Sequence, residues 1–173
     1  ADAAQEAGVD LVTVGPAFQG DLSSQLEVFE NLVAQGVDAI GIAPVDSSGV
    51  APAVNDAMDA GIPVVAIDTG VSGAAVTSFV ATDNYAVAKV QGAVAATLIN
   101  DGDAIIYVTG NQAQSTGQER RNGFVEAFKT ARPNSEILEV PTEWDSNQAQ
   151  EGVEAILNSR SDIKMVANAW DGG

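Results

Sequence analysis

Short apolar runs alternate with helical repeats along almost the whole chain, and this alternation restricts the fold more than any single residue does. The runs fall at residues 9–14, 37–43, 64–67, 78–81, 104–108, 136–140 and 164–169. Between them, Leu26, Phe29, Leu32 and Val33 recur at helical steps, as do Val50, Val54 and Met58, and later Phe124, Ala127 and Phe128. Strand and helix joined by loops of a few residues form βαβ units, which build a parallel sheet with helices on both faces. The alternation breaks once, over residues 70–84, where two strands follow each other and a polar turn comes next. A domain crossing is expected there, dividing the chain into lobes 1–82 and 83–173. The expected fold class is α/β, with doubly wound parallel sheets in two Rossmann-like lobes.

Cap residues set the helix limits. Residues 1–7 have helical composition and Gly8 stops them. Asp21 or Ser23 caps the helix that Gly36 ends, and Asp46 or Ser47 caps the next. Helices are further expected over 85–99 and 118–130, and from Asp145 or Ser146 to Leu157.

The segment GIPVVAIDTG, Gly61 to Gly70, carries the first functional signal. Pro63 cannot continue a helix, and Val64 to Ile67 reads as a strand covered on both faces. Asp68 and Thr69 then stand where the strand stops. Ligands of open parallel sheets bind outside the carboxyl ends of strands, and a carboxylate buried there needs donors. The competing reading is that Asp68 caps a turn.

Polar groups follow the other strands too. They are Gln19 and Asp21 after the first, Asp46 after the second, and Asp83 and Asn84 after the fourth. Asn111 and Gln112 follow the fifth, Trp144 and Asp145 the sixth, and Trp170 and Asp171 the last. Carboxylates and amides beside an indole suit a neutral polyhydroxyl ligand, whose hydroxyls donate to the former and whose apolar face lies on the latter. Asp46 and Asp145 read better as helix caps, and half-buried packing competes for both tryptophans. Arg120, in ERRNGF, is the cationic candidate. A cation is disfavoured near a helix N-terminus, so its placement there points to a specific partner. A surface ion pair with Glu119 or Glu126 is the alternative, and the one preferred for Arg121.

Composition excludes several classes of function. The 173 residues contain no cysteine and no histidine, which removes disulfides, thiolate metal sites, the common zinc ligands and Ser–His or Cys–His nucleophiles. Twenty-four acidic residues stand against seven basic ones, a net charge of −17. That charge argues against nucleic acid and against anionic membrane surfaces as partners. No apolar run reaches membrane-spanning length, so direct membrane insertion is not expected. No P-loop, GxGxxG or calcium loop is present, and no cofactor is expected.

Three runs together resemble one family: GVDAIGIAPVDSSGVAPAVNDAMDAGIPVVAIDTG, FVATDN and ERRNGF. The chain is similar to type I periplasmic sugar-binding proteins, the ribose-binding-like components of ABC importers. The resemblance implies a non-catalytic clamp that holds a sugar or polyol between two lobes, meets a membrane permease, and works in the periplasm or as a lipid-anchored protein outside the cell. It matches Asp68 to the carboxylate that accepts from sugar hydroxyls, with Thr69 beside it. It matches Arg120 to an arginine that donates to sugar oxygens, and Trp144 to a ring-flanking aromatic. Trp170-Asp171 stands where the family has Asn-Asp, which departs from a simple pentose site. Phe18, Asn84 and Gln112 complete the candidate ligand set. The effector core of a LacI-type regulator is the rival reading, and an enzyme on a flavodoxin-like sheet a third.

The same resemblance implies that a first strand and the last third or more of a family member lie outside these residues. In strand order 2-1-3-4-5 that strand would sit between residues 9–14 and 37–43. The expectation is two unpaired edges there and a first lobe that is loosened or self-associating on its own.

Overall fold

The computed structural model describes residues 2–18 and 20–173. Helix α1 (Asp2–Glu6) buries no residue, and α2 (Leu22–Gln35) follows a long coil. The first lobe continues through β1 (Ile40–Ile42), α3 (Ala51–Asp59), β2 (Val64–Ile67) and β3 (Ser78–Val80). The second comprises α4 (Asn84–Thr97), β4 (Ala104–Thr109), α5 (Ser115–Ala131), β5 (Glu136–Pro141), α6 (Ser146–Ser159) and β6 (Ile163–Asn168). Two separate parallel sheets result, ordered β1-β2-β3 and β5-β4-β6.

Period-2 alternation sorts the second sheet cleanly. Ile105 and Tyr107 point to the face carrying α4 and α5, where they meet Ala88, Phe124 and Phe128. Ile106 and Val108 point to the other face and pack with Val140 and Ala149 of β5 and α6. All six β4 residues are buried, so this strand is covered on both sides. Helices α4 and α5 approach closely through two glycines. A Cβ on Gly92 would stand 2.3 Å from the Phe124 carbonyl oxygen, and one on Gly123 would stand 2.3 Å from that of Tyr85.

The first sheet departs from expectation in three ways. Its core joins Ile40, Ile42 and Val64 to Phe29 of α2 and to Val50, Val54 and Ala57 at α3, all on one face. On the opposite face Gly41, Ile67 and Val80 are exposed, so β2 is not covered on both sides among the described residues. Residues 9–14 form no strand. Val9, Leu11, Val12 and Val14 are each more than half exposed, and the segment joins no ladder. An apolar run without an adjacent edge has nothing to exchange hydrogen bonds with, so strand propensity alone does not order it. The strand expected over 37–43 narrows to β1, the three residues that pair with β2.

Caps also differ in part. Asp21, Asp83 and Asp145 cap α2, α4 and α6 by accepting from Ser24, Ala86 and Gln148. Asp46 instead accepts from the backbone of Ser48 and Gly49 in a turn ahead of α3, whose own N-cap, Val50, makes no side-chain bond. Ser47 is taken up by the other lobe. Charge is divided unevenly. Residues 1–82 hold eleven carboxylates and no Lys or Arg, whereas residues 83–173 hold thirteen carboxylates and all seven cations.

Candidate functional site

The carboxyl ends of the two sheets face each other, and the loop from β4 into α5 bridges them. Backbone and side chains both cross. The Ser47 N–H donates to the Ala113 carbonyl at 3.0 Å, and the Ser115 N–H donates to Ser47 Oγ at 2.9 Å. The Gly70 N–H donates to Ser115 Oγ at 2.8 Å, and Gln114 Nε2 donates to the Pro44 carbonyl at 2.8 Å. Thr116 Oγ1 lies 3.2 Å from the Asp68 carbonyl and 3.0 Å from Thr69 Oγ1.

Beside this seam lies a cavity of about 260 Å³, lined by Asp68, Gln114, Thr116, Arg120 and Trp144. Two lining residues have left-handed backbones, Asp68 at φ 62° and Trp144 at φ 61°. Asp tolerates this region, but for a bulky tryptophan it costs about 1–3 kcal/mol. Such outliers concentrate where a side chain must be aimed, and both here aim into one cavity.

The Trp144 indole is held from several sides. Its six-membered ring lies on Gly110, where a Cβ would come within 2.0 Å of Cζ3 and Cη2. The Arg120 guanidinium sits 5.5 Å from the ring centroid. Trp170 meets it edge-on, with centroids 5.4 Å apart and planes at 87°. Its Nε1–H donates to Gln114 Oε1.

Arg120 is fixed by neighbours of both kinds. Nε donates to Asn84 Oδ1 at 2.9 Å and Nη1 to the Ala169 carbonyl at 2.8 Å, leaving Nη2 without a protein acceptor among the described residues. Tyr107 Oη donates to the Arg120 carbonyl from below, and burial pushes that phenol well above its ordinary range. Helix α5 starts at Ser115, three residues earlier than its sequence indicates, so Arg120 stands in the second turn. The helix dipole has largely faded there, so an unfavourable helix terminus does not account for the placement of Arg120. Arg121 is an ion pair as expected, but with Glu139 of β5, at 2.5 Å, in place of Glu119 or Glu126. Glu126 pairs with Lys89.

Among the candidate residues, Asp68, Arg120 and Trp144 share the cavity. Thr69 is buried behind it, Asn84 supports Arg120, and Trp170 supports Trp144. Three others do not reach it. Phe18 is 68% exposed, Asp171 is exposed beyond β6, and Gln112 turns its amide onto the Gly110 carbonyl. Gln19 lies outside the described residues. Gln114 and Thr116 line the cavity but escape sequence reading, because residues 110–117 read as a polar loop in which only Asn111 and Gln112 stand directly at the strand end. The described residues contain no group of acidic side chains able to hold a metal ion.

The model of the periplasmic binding protein domain matches residues 1–173. The D-allose-binding periplasmic protein of Escherichia coli is 31% identical over 178 residues, covering 98% of this chain and 57% of that protein. The D-ribose/D-allose-binding protein of Pseudomonas aeruginosa is 32% identical over 163 residues, covering 91% and 51%. Among solved structures, an ABC transporter solute-binding protein from Mycobacterium smegmatis with bound glycerol is 34% identical, with a TM-score of 0.84 over 96% of this chain and 57% of that one. The chain thus spans about half of the length of the relatives it matches.

Proposed function

The chain belongs to the periplasmic binding protein domain family, and from that premise we propose that it captures a sugar or polyol between its lobes for ABC-type import, without catalysis. The carrying observation is the cavity at the lobe seam. It sets the Asp68 carboxylate from one lobe against Arg120 and Trp144 from the other. A polyol bridging them donates to Asp68, accepts from Arg120, and lays its C–H face on the indole. A ligand held by both lobes favours their closed arrangement over an open one by its differential affinity.

In this reading the lobes are residues 1–82 and 83–173, hinged near Asp83. The location is the periplasm and the protein partner is a membrane permease. No helix among the described residues is long and apolar enough to cross a membrane. The named relatives bind D-allose and D-ribose, and those sugars head the set to test.

The test is thermal unfolding of the full-length protein against D-allose, D-ribose, myo-inositol and glycerol. A ligand at a hundredfold its Kd stabilises by about 2.7 kcal/mol, so one of them should raise the midpoint by several degrees. No shift with any sugar or polyol overturns the reading.

A further inference from the structure

Gln114 holds the N-cap position of α5, where short polar side chains usually bond the first helical N–H groups. It makes no such bond. Its amide is used in two other directions. Oε1 accepts from the indole Nε1–H of Trp144 in its own lobe, and Nε2 donates to the Pro44 carbonyl at the end of β1 in the other. One planar amide therefore joins the cavity's aromatic wall to the opposite lobe. Trp144 needs such a hold, because its left-handed backbone is not a conformation a tryptophan adopts unaided.

We propose that Gln114 is a positioning residue that seats the Trp144 indole and ties that seating to the first lobe through Pro44. This rests on the reading of the cavity as a sugar site, but it makes a claim about the protein without ligand. When the lobes part, the Pro44 bond is lost and the amide is free to turn. The indole then loses a fixed acceptor. Lobe closure and formation of the ring-binding surface become one event.

The test is ¹H–¹⁵N correlation spectroscopy of the full-length protein without sugar, using the indole N–H signal that Trp144→Phe removes. Gln114→Leu keeps a branched side chain of similar bulk and removes both bonds. It should move that signal upfield and speed its exchange with water about fivefold or more, with backbone signals away from the two loops unchanged. Gln114→Glu keeps an acceptor for the indole but sets a carboxylate against the Pro44 carbonyl. It should restore the indole signal while the radius of gyration from small-angle scattering increases. An indole signal unmoved by Gln114→Leu overturns the seating, and scattering unmoved by Gln114→Glu overturns the tie. A protein that binds no sugar still gives both readings, so failure of the sugar assignment is separately visible.

Discussion

Thr69 Oγ1 and Thr116 Oγ1 stand 3.0 Å apart across the lobe seam, both almost fully buried. A hydroxyl pair withdrawn from water is stabilising only while each partner remains. Thr116→Val keeps the shape but leaves Thr69 and the Asp68 carbonyl each short of a partner. The closed arrangement should weaken by about 1–3 kcal/mol. Hydrogen exchange at Thr69 and Gly70 reads the change directly, and unaltered protection there would count against the pair as a latch.

Asp68 brings a carboxylate to the lining of the cavity. Asp68→Ala in the full-length protein should cost about 1.5–3 kcal/mol of sugar binding, the scale of a hydrogen bond to a charged group. Isothermal calorimetry with the sugar that binds gives the number. An unchanged Kd removes Asp68 from the site.

Gly110 is the floor under Trp144. Adding one methyl in Gly110→Ala forces the indole away from the backbone, since the ring already fills that space. Near-ultraviolet circular dichroism should lose the signal of the Trp144–Trp170 pair, and any sugar-induced tryptophan fluorescence change should shrink with it. Retention of both would mean the ring is not seated on Gly110.

Gly92 should be equally intolerant for a different reason. Its missing side chain admits the Phe124 carbonyl of the neighbouring helix, a rigid backbone atom that cannot turn aside. Gly92→Ala should lower stability by about 1–3 kcal/mol through overpacking, more than any helix propensity gained. Denaturant unfolding measures it.

Glu119 gives a pH test. Burial, helped by the Asp83 charge and opposed by a hydrogen bond from Asn84, holds its carboxyl above the ordinary range. The folded state therefore binds this proton more tightly than the unfolded state. Its contribution is fully present below the unfolded pKa and is lost as pH rises through the folded one. Glu119→Gln should raise the melting midpoint modestly at pH 7, and the gain should vanish near pH 4. An equal gain at both pH values would assign the effect to something other than ionisation.

The fold was legible wherever a local pattern coincided with burial. The β4 run, the Phe124–Phe128 face and the Asp21 and Asp145 caps all came from short-range chemistry. Residues 9–14 misled because a strand is defined by its neighbour, and apolar composition says nothing about whether an edge is adjacent. The candidate cavity was legible where a side chain follows a strand, as with Asp68 and Trp144. It was not legible at Gln114 and Thr116. Their role depends on where α5 begins, and no Ser, Thr, Asp or Asn cap marks that point with its own side chain.

The confinement of every cation to one lobe has a further consequence. Residues 1–82 and residues 83–173 are each net negative, so a closing movement brings like charges together. At low salt this repulsion opposes their approach and works against the hydrogen bonds of the seam. At 0.1 M it is damped over a Debye length of about 10 Å, comparable to a cleft. Dissolved salt thus acts as a second, non-specific ligand for the closed form, one that needs no pocket. The apparent sugar affinity of this protein should rise with ionic strength, the reverse of what attraction between a charged protein and an oppositely charged ligand produces.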